Sequence, residues 1–240
     1  TVGGETKANT TTTGTQETNA NVPPRVVAMD ASGNYVVVWT GEGPGDTSGV
    51  FFQRYNASGV AQGGETRINQ TVTDTQDSST VAMDANGNFV VAWRSNNQDG
   101  SGTGIYARRY NAAGTALSSE FRVNGTTANA QDNPTIAMNG SGAFVVIWAS
   151  AGQDGDLEGV YAQRYNASGV AQGGQIAVNT TTTGNQWPDS VAMDAAGNFV
   201  ITFSSADAAG SGVWMRRFSA AGAALSGEVR ANTTTSGDQD

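Results

Sequence analysis

Apolar and polar positions along this chain recur four times in one order. Each copy opens with a short alternating run: Val26 to Asp30, Val81 to Asp84, Ile136 to Asn139 and Val191 to Asp194. A small polar quartet with glycine follows, Ala31-Ser32-Gly33-Asn34 in the first copy and Ala85-Asn86-Gly87-Asn88 in the second. Then comes an unbroken apolar run: Tyr35 to Trp39, Phe89 to Trp93, Phe144 to Trp148 and Phe199 to Phe203. Alternation predicts a strand, the quartet a hairpin turn whose glycine takes positive φ, and the continuous β-branched and aromatic run a strand covered on both faces. After a glycine-rich loop a third strand is predicted at Val50 to Tyr55, Ile105 to Tyr110, Val160 to Tyr165 and Val213 to Phe218. A fourth is predicted near Glu65 to Asn69, Glu120 to Asn124, Gln175 to Asn179 and Glu228 to Asn232.

The spacing gives these strands an architecture. Asp30, Asp84, Asn139 and Asp194 recur at intervals of 54, 55 and 55, and Trp39, Trp93, Trp148 and Phe203 keep the same three intervals. A unit of this size cannot bury its own apolar face, so neighbouring copies must cover it. Four antiparallel strands per copy is the content of one propeller blade. The expectation is an all-β, single repeat domain over residues 1–240, with four-stranded antiparallel blades at about 25–70, 79–125, 134–180 and 189–233. A small β-propeller is the first reading and an open stacked array of the same sheets the second. No 3.6-residue periodicity competes.

The linkers carry a second pattern. Asn and Gln stand seven apart at Asn9 and Gln16, Asn69 and Gln76, Asn124 and Gln131, Asn179 and Gln186, and Asn232 and Gln239. The chain thus holds one fourth strand too many, at about Glu5 to Asn9, and the linker after it is six residues longer than the rest. With residues 1–24 set apart as surplus strand and long linker, the expectation is that this strand closes a ring or pairs with another molecule.

The units Val81 to Trp93 and Gln98 to Tyr110 resemble repeats of very large secreted bacterial proteins, many of them calcium-associated, adhesin-like surface proteins. The Val-Ala-Met-Asp-x-x-Gly-Asn hairpin is similar to the short hairpin of bacterial β-propeller repeat families. The resemblance covers all four copies and implies a secreted propeller-type module, without identifying an active site. It departs from the calcium-binding glycine-rich nonapeptide, since no Gly-Gly-x-Gly-x-Asp tandem occurs.

Composition narrows the chemistry. The chain has no Cys and no His, which excludes thiolate, Ser-His and Cys-His catalysis. The formal net charge of −9 repels phosphate backbones, so nucleic acid is not an expected partner. The longest apolar runs fall far short of the roughly 20 residues that span a bilayer as a helix. Abundant Gly, Thr, Asn, Ser and Ala agree with a secreted or cell-surface bacterial protein.

Candidate chemistry is sparse. Asp154, Asp156 and Glu158 form the one dense acidic cluster, in the loop before a third strand, and hard oxygen ligands there suggest calcium. Trp39, Trp93 and Trp148 end apolar strands and are expected in the core, and the turn Asp residues are expected to cap turns. Two tryptophans break the repeat and are the ligand-binding candidates: Trp187, where the other copies have Glu17, Asp77 and Asp132, and Trp214, where they have Phe or Tyr. Arg54, Arg109 and Arg217 with Glu65, Glu120 and Glu228 read as cross-strand ion pairs. With no convergent catalytic set visible, the expected function is a non-enzymatic, extracellular structural or adhesive module, self-associating through its N-terminal strand. The alternative is a carbohydrate-binding propeller that recognises a cell-surface glycan, with sites repeated between blades.

Overall fold

The computed structural model describes residues 7–18, 25–207, 210–234 and 237–238. It is all-β, with four antiparallel sheets in chain order. Sheet two shows the plan: strands Gln76–Met83, Phe89–Asn96, Thr103–Tyr110 and Phe121–Arg122 lie side by side in sequence order. Sheet three repeats it with Gln131–Met138, Phe144–Ala151, Glu158–Tyr165 and Ile176–Ala177, and sheet four with Gln186–Met193, Phe199–Asp207, Gly210–Phe218 and Val229–Arg230. In sheet one the first strand is split into Gln16–Glu17 and Val27–Met29, which both pair with Tyr35–Gly43, while Asp46–Tyr55 and Thr66–Arg67 complete the sheet. The six extra linker residues fall between those two pieces, and residues 19–24 lie outside the described set.

The first strand of each of sheets two to four is eight residues long, twice what the alternating runs suggest. It begins at the linker Gln, and a bulge interrupts the ladder between Asp77 and Thr80, Asp132 and Thr135, and Pro188 and Ser190. An extra unpaired residue breaks period-two alternation, which hides the outer half of the strand from the pattern. The invariant Gln earns its place in the linker: Gln76 Oε1 accepts from Asn69 Nδ2 at 3.0 Å, its Nε2 donates to the Thr73 carbonyl at 2.8 Å, and Asn69 Oδ1 accepts from Val50 N at 2.9 Å. Asn124 with Gln131 and Asn179 with Gln186 make the same bridges.

The core lies between sheets. The face that a sheet turns toward its successor carries small and β-branched side chains, such as Ala137, Val145, Ile147, Val160 and Ala162 in sheet three. The facing side of the next sheet brings aromatic rings, Phe199, Phe203 and Phe218, together with Val191 and Ile201. Equivalent clusters join sheets one and two, and sheets two and three. Trp93 and Trp148 are fully buried in those layers and Trp39 is 4% exposed, as expected for strand-end core residues. The innermost strands of successive sheets run side by side, so the sheets fan outward like blades from an axis. Among the described residues the packing runs one to two, two to three and three to four, which makes a propeller-like series without closure of sheet four onto sheet one.

The predicted cross-strand ion pairs do not form. Side chains alternate across a sheet, and Arg54 shares the face of Phe52 and its partner Thr66, whereas Glu65, one residue earlier, points the other way. The two act between sheets instead. Arg54 Nη1 donates to the Ala112 carbonyl of sheet two at 2.7 Å, and Arg109 Nη1 to Ser168 of sheet three at 2.6 Å. Glu120 reaches back to sheet one, where Oε2 accepts from Gln70 N at 2.6 Å and Oε1 from Thr71 Oγ1 at 2.6 Å. Glu228 accepts in the same way from Thr180 and Thr181, and Gln175 from Gly125 N at 2.9 Å.

This clamp also places the N-terminal segment. Glu65 Oε2 accepts from Thr10 N at 2.9 Å and Thr11 N at 3.1 Å, and Tyr55 Oη donates to the Ala8 carbonyl at 3.2 Å, just as Tyr110 Oη does to Ile68 at 3.4 Å. Asn9 bonds Gln16 at 2.9 Å. The segment therefore docks on the chain's own sheet one, where the outer strand of a preceding blade would lie; Glu5, in the expected surplus strand, is outside the described residues.

Candidate functional site

The position after the invariant Gln is the second of every innermost strand, and its residue changes from copy to copy: Glu17, Asp77, Asp132 and Trp187 occupy it in turn. These residues lie at one end of the blades, close to the axis, opposite the hairpin turns. Their cross-strand neighbours are Thr40, Arg94, Ala149 and Ser204. Where the strand ladder and the Asn–Gln bridges repeat faithfully, divergence at a partly exposed slot is a sign that something other than folding selects the residue.

At this rim the chain places its charged groups together. Arg94 grips Asp77 with two bonds, Nε to Oδ1 at 2.7 Å and Nη2 to Oδ2 at 2.6 Å, and its Nη1 crosses to Asp132 Oδ1 of sheet three at 3.0 Å. Thr103 Oγ1 donates to the same Asp132 oxygen at 3.0 Å. Asp77, Arg94 and Thr103 share the face of sheet two that looks toward sheet three. Asp132 and Glu158 share the corresponding face of sheet three, since Asp132 pairs with Ala149 and Glu158 with Ala151. By the repeat, Glu158 stands to Trp187 of sheet four as Thr103 stands to Asp132.

Glu158 is half-buried and its Oε2 has no hydrogen-bond partner among the described residues. Burial, reinforced by the charges of Asp132 and Asp154, pushes its carboxyl above the usual range, so it holds a proton more readily than an ordinary glutamate. Arg94 is shifted upward as well, for a different reason: its hydrogen bonds and charge pairing with Asp77, then with Asp132, fasten its proton more firmly than usual. A guanidinium thus neutralises one end of the rim, and a carboxyl of raised proton affinity sits at the other.

The sequence-derived candidates separate. Trp187 is on the rim, across from Ser204, and 37% exposed. Trp214 is not a ligand platform: it pairs with Phe203 and packs, partly buried, into the layer between sheets three and four. It takes the place that Tyr106 and Tyr161 hold against Trp93 and Trp148. The acidic trio does not converge on a metal. Asp154 Oδ2 accepts from Asn179 Nδ2 at 3.1 Å, Asp156 Oδ2 accepts from Gly184 N at 2.9 Å, and of the three Glu158 alone faces the rim. Among the described residues no three acidic side chains group as a metal site, so the suggested calcium ligands are corrected. Asp77, Asp132 and Arg94 were missed as a site. Arg94 carried a signal, because the matching positions in the other copies are uncharged, Thr40, Ala149 and Ser204.

No family model and no curated protein matches the chain. Solved structures do. An α-L-arabinofuranosidase of Fusarium graminearum in complex with arabinobiose aligns over 86% of this chain and 66% of its own, at 10% identity and a TM-score of 0.58. An α-L-arabinanase of Penicillium chrysogenum, also with arabinobiose, aligns over 86% and 66% at 15% identity and 0.56. An N-acetylgalactosamine deacetylase from F. plautii, bound to blood group B trisaccharide, aligns over 88% and 69% at 11% identity and 0.54. The chain therefore spans about two thirds of the length of these proteins, and what it shares with them is the β-propeller type of fold. That finding overturns the expectation of a non-enzymatic adhesive module: the fold is one shared with enzymes that act on carbohydrates. Among the described residues no helix is long and apolar enough to cross a membrane.

Proposed function

We propose that this protein is a carbohydrate-active β-propeller, which lays a glycan across the rim at Trp187 and acts on it with the carboxyl groups of Glu158 and Asp132. The observation that carries the reading is the placing, at one end of the blades, of an exposed tryptophan, a half-buried glutamate with raised proton affinity and a salt-bridged aspartate. A tryptophan plate suits the apolar face of a sugar ring, and carboxylates suit its hydroxyl edge. Glycosidic bonds are commonly cleaved by two carboxyl groups of unlike proton affinity, one giving its proton to the leaving oxygen. Glu158 has the environment of the donor; Asp132, held by Arg94 and Thr103, is fixed beside it. The fold neighbours that carry arabinobiose support arabinose-containing glycans as the first substrates to try. The composition favours a secreted or cell-surface setting, where such polymers are met.

The test is to incubate the chain with linear arabinan and arabinobiose and measure binding and released reducing ends. Glu158→Gln is expected to keep affinity while losing about 100-fold or more in rate, the range that general acid–base catalysis supplies. Trp187→Ala is expected to weaken binding by about tenfold, on the order of 1.4 kcal/mol. Wild-type and Glu158→Gln proteins that behave alike would remove the catalytic part of the proposal, and unchanged affinity in Trp187→Ala would remove the binding part.

A further inference from the structure

Every layer between successive sheets is made of the same two half-faces. The half that sheet two turns toward sheet three is Ala82, Val90, Ala92, Ile105, Ala107 and Val123, each at most 5% exposed, and sheet three repeats it position for position. In sheet four those positions hold Ala192, Val200, Thr202, Val213, Met215 and Ala231, and none of them is buried. The opposite half is open on sheet one, where Val27 is 47% exposed although its counterparts Val81, Ile136 and Val191 are at most 1% exposed.

The polar groups that fasten one sheet to the next break off at the same two places. Arg54, Arg109 and Arg164 each donate to a carbonyl in the second hairpin loop of the following sheet, at Ala112, at Ala167 and Ser168, and at Ala220. Arg217, the fourth of the series, is exposed, and its guanidinium has no partner among the described residues. Beside it lies an open cleft of about 300 Å³, at the place where Met83 and Gly87 of the next sheet enter between sheets one and two. On the other side, Ala8 and Asn9 stand to sheet one as Ile68 and Asn69 stand to sheet two. In all four sheets this Asn accepts the N–H of a third-strand residue, Val50, Ile105, Val160 or Val213, at 2.7–3.0 Å. The residue before the Asn donates to the carbonyl of that same residue at 2.7–2.8 Å. Asn9 Oδ1 and Ala8 N have neither partner among the described residues, so the segment is a fourth strand without its third.

We propose that one three-stranded antiparallel sheet of this same repeat docks between sheets four and one and completes the ring. Its aromatic face covers Val200 and Met215, and a carbonyl of its second hairpin loop accepts from Arg217. Its small, β-branched face covers Val27 and Tyr35. Its third strand gives Asn9 Oδ1 an N–H and accepts the N–H of Ala8, which turns an open strand edge into a paired one. Three strands suffice because the N-terminal segment already stands as the fourth. The occupant is a single sheet rather than a whole second copy, because the two open faces are the opposite halves of one layer pattern. The fold neighbours agree, being five-bladed, one blade more than the four sheets here. The docked first strand would add a fifth slot residue to the rim next to Trp187, but the inference does not depend on the chemistry of the rim.

The probe is the chain to Gln239 followed by residues 77–110, which keeps the seven-residue spacing from Asn232 and supplies three strands of sheet two. Hydrogen exchange read by NMR is expected to find the Ala8 amide slowed by about 100-fold or more relative to the parent chain. Calorimetry is expected to find Tm raised by about 5 °C or more. The same extension with Phe89→Asp and Trp93→Asp in the appended copy cannot pack on sheet four and is expected to leave both values at the parent's. An Ala8 amide that exchanges equally fast in extended and parent proteins overturns the proposal, as does equal protection by the Asp-bearing extension. Two results on the parent chain alone would also overturn it, whether or not the extended protein folds. One is an Ala8 amide that is already protected. The other is a dimer in light scattering that Met215→Asp abolishes, since a whole second copy would then be the occupant.

Discussion

At the scale of single residues, each blade junction turns on a glycine that lets an arginine pass. Gly114 has φ +78°, and a Cβ there would lie 2.5 Å from Arg54 Nε; Gly169 and Gly222 stand in the same relation to Arg109 and Arg164. Gly114→Ala should therefore cost about 1–3 kcal/mol from backbone strain alone, with Arg54 displaced in addition. Gly64, whose Cβ would meet nothing within 4 Å, is the control, and Gly64→Ala should be neutral within experimental error in the same urea unfolding series. Glu158 gives a prediction of opposite sign. Burial and the neighbouring Asp132 and Asp154 raise its folded-state pKa above the unfolded value, so its charged form opposes folding at neutral pH and the penalty fades as pH falls through the folded value. Calorimetry should find Glu158→Gln with a Tm at or above the parent's at pH 7, and the difference gone at pH 4. A group that lowers stability yet sits beside a rim of carboxylates is what a site kept for chemistry looks like.

At the scale of elements, the strands, turns and buried tryptophans were legible because each is a local consequence of alternation, glycine and a 55-residue period read four times. Trp187 was legible for the same reason, as a departure from a slot that the other copies fill with acids. What escaped were relations between sheets. Glu65 and Arg54 are near in sequence and face opposite ways, and their partners, Thr10 and Ala112, are fixed only when sheets stack. Glu158 and Asp132 lie 26 positions apart, and a bulge conceals that Asp132 belongs to a strand at all. The clamps have a measurable pH dependence. Burial works against the Glu65 and Glu228 carboxylates, but the hydrogen bonds from Thr10 and Thr11, and from Thr180 and Thr181, outweigh it and hold both below the usual range. A depressed folded-state pKa means stability that is present above the unfolded value and lost as pH falls through the folded one. Acid unfolding followed by circular dichroism should show Glu65→Gln and Glu228→Gln less stable than the parent at pH 7 and less sensitive to acid. Gln175, which holds Gly125 without a titrating group, is the natural precedent.

At the scale of the whole molecule, four sheets are joined by three apolar layers, with Val27 and Met29 exposed on the free face of sheet one. Such a series leaves its two ends chemically distinct. At one, the strand starts bring Asp77, Arg94, Asp132, Glu158 and Trp187 into a rim; at the other, hairpins and arginines enclose small clefts. The central claim is that a glycan lies on the rim, and tryptophan itself reports it. Of the five indole N–H groups, those of Trp39, Trp93, Trp148 and Trp214 are buried with no partner among the described residues, whereas Trp187 is an exposed residue. In a titration with arabinobiose and longer arabinan fragments, the account predicts a saturable shift of the Trp187 indole resonance while the other four stay in place. A Trp187 indole signal that does not move under saturating oligosaccharide, with wild-type protein that remains folded, would contradict it.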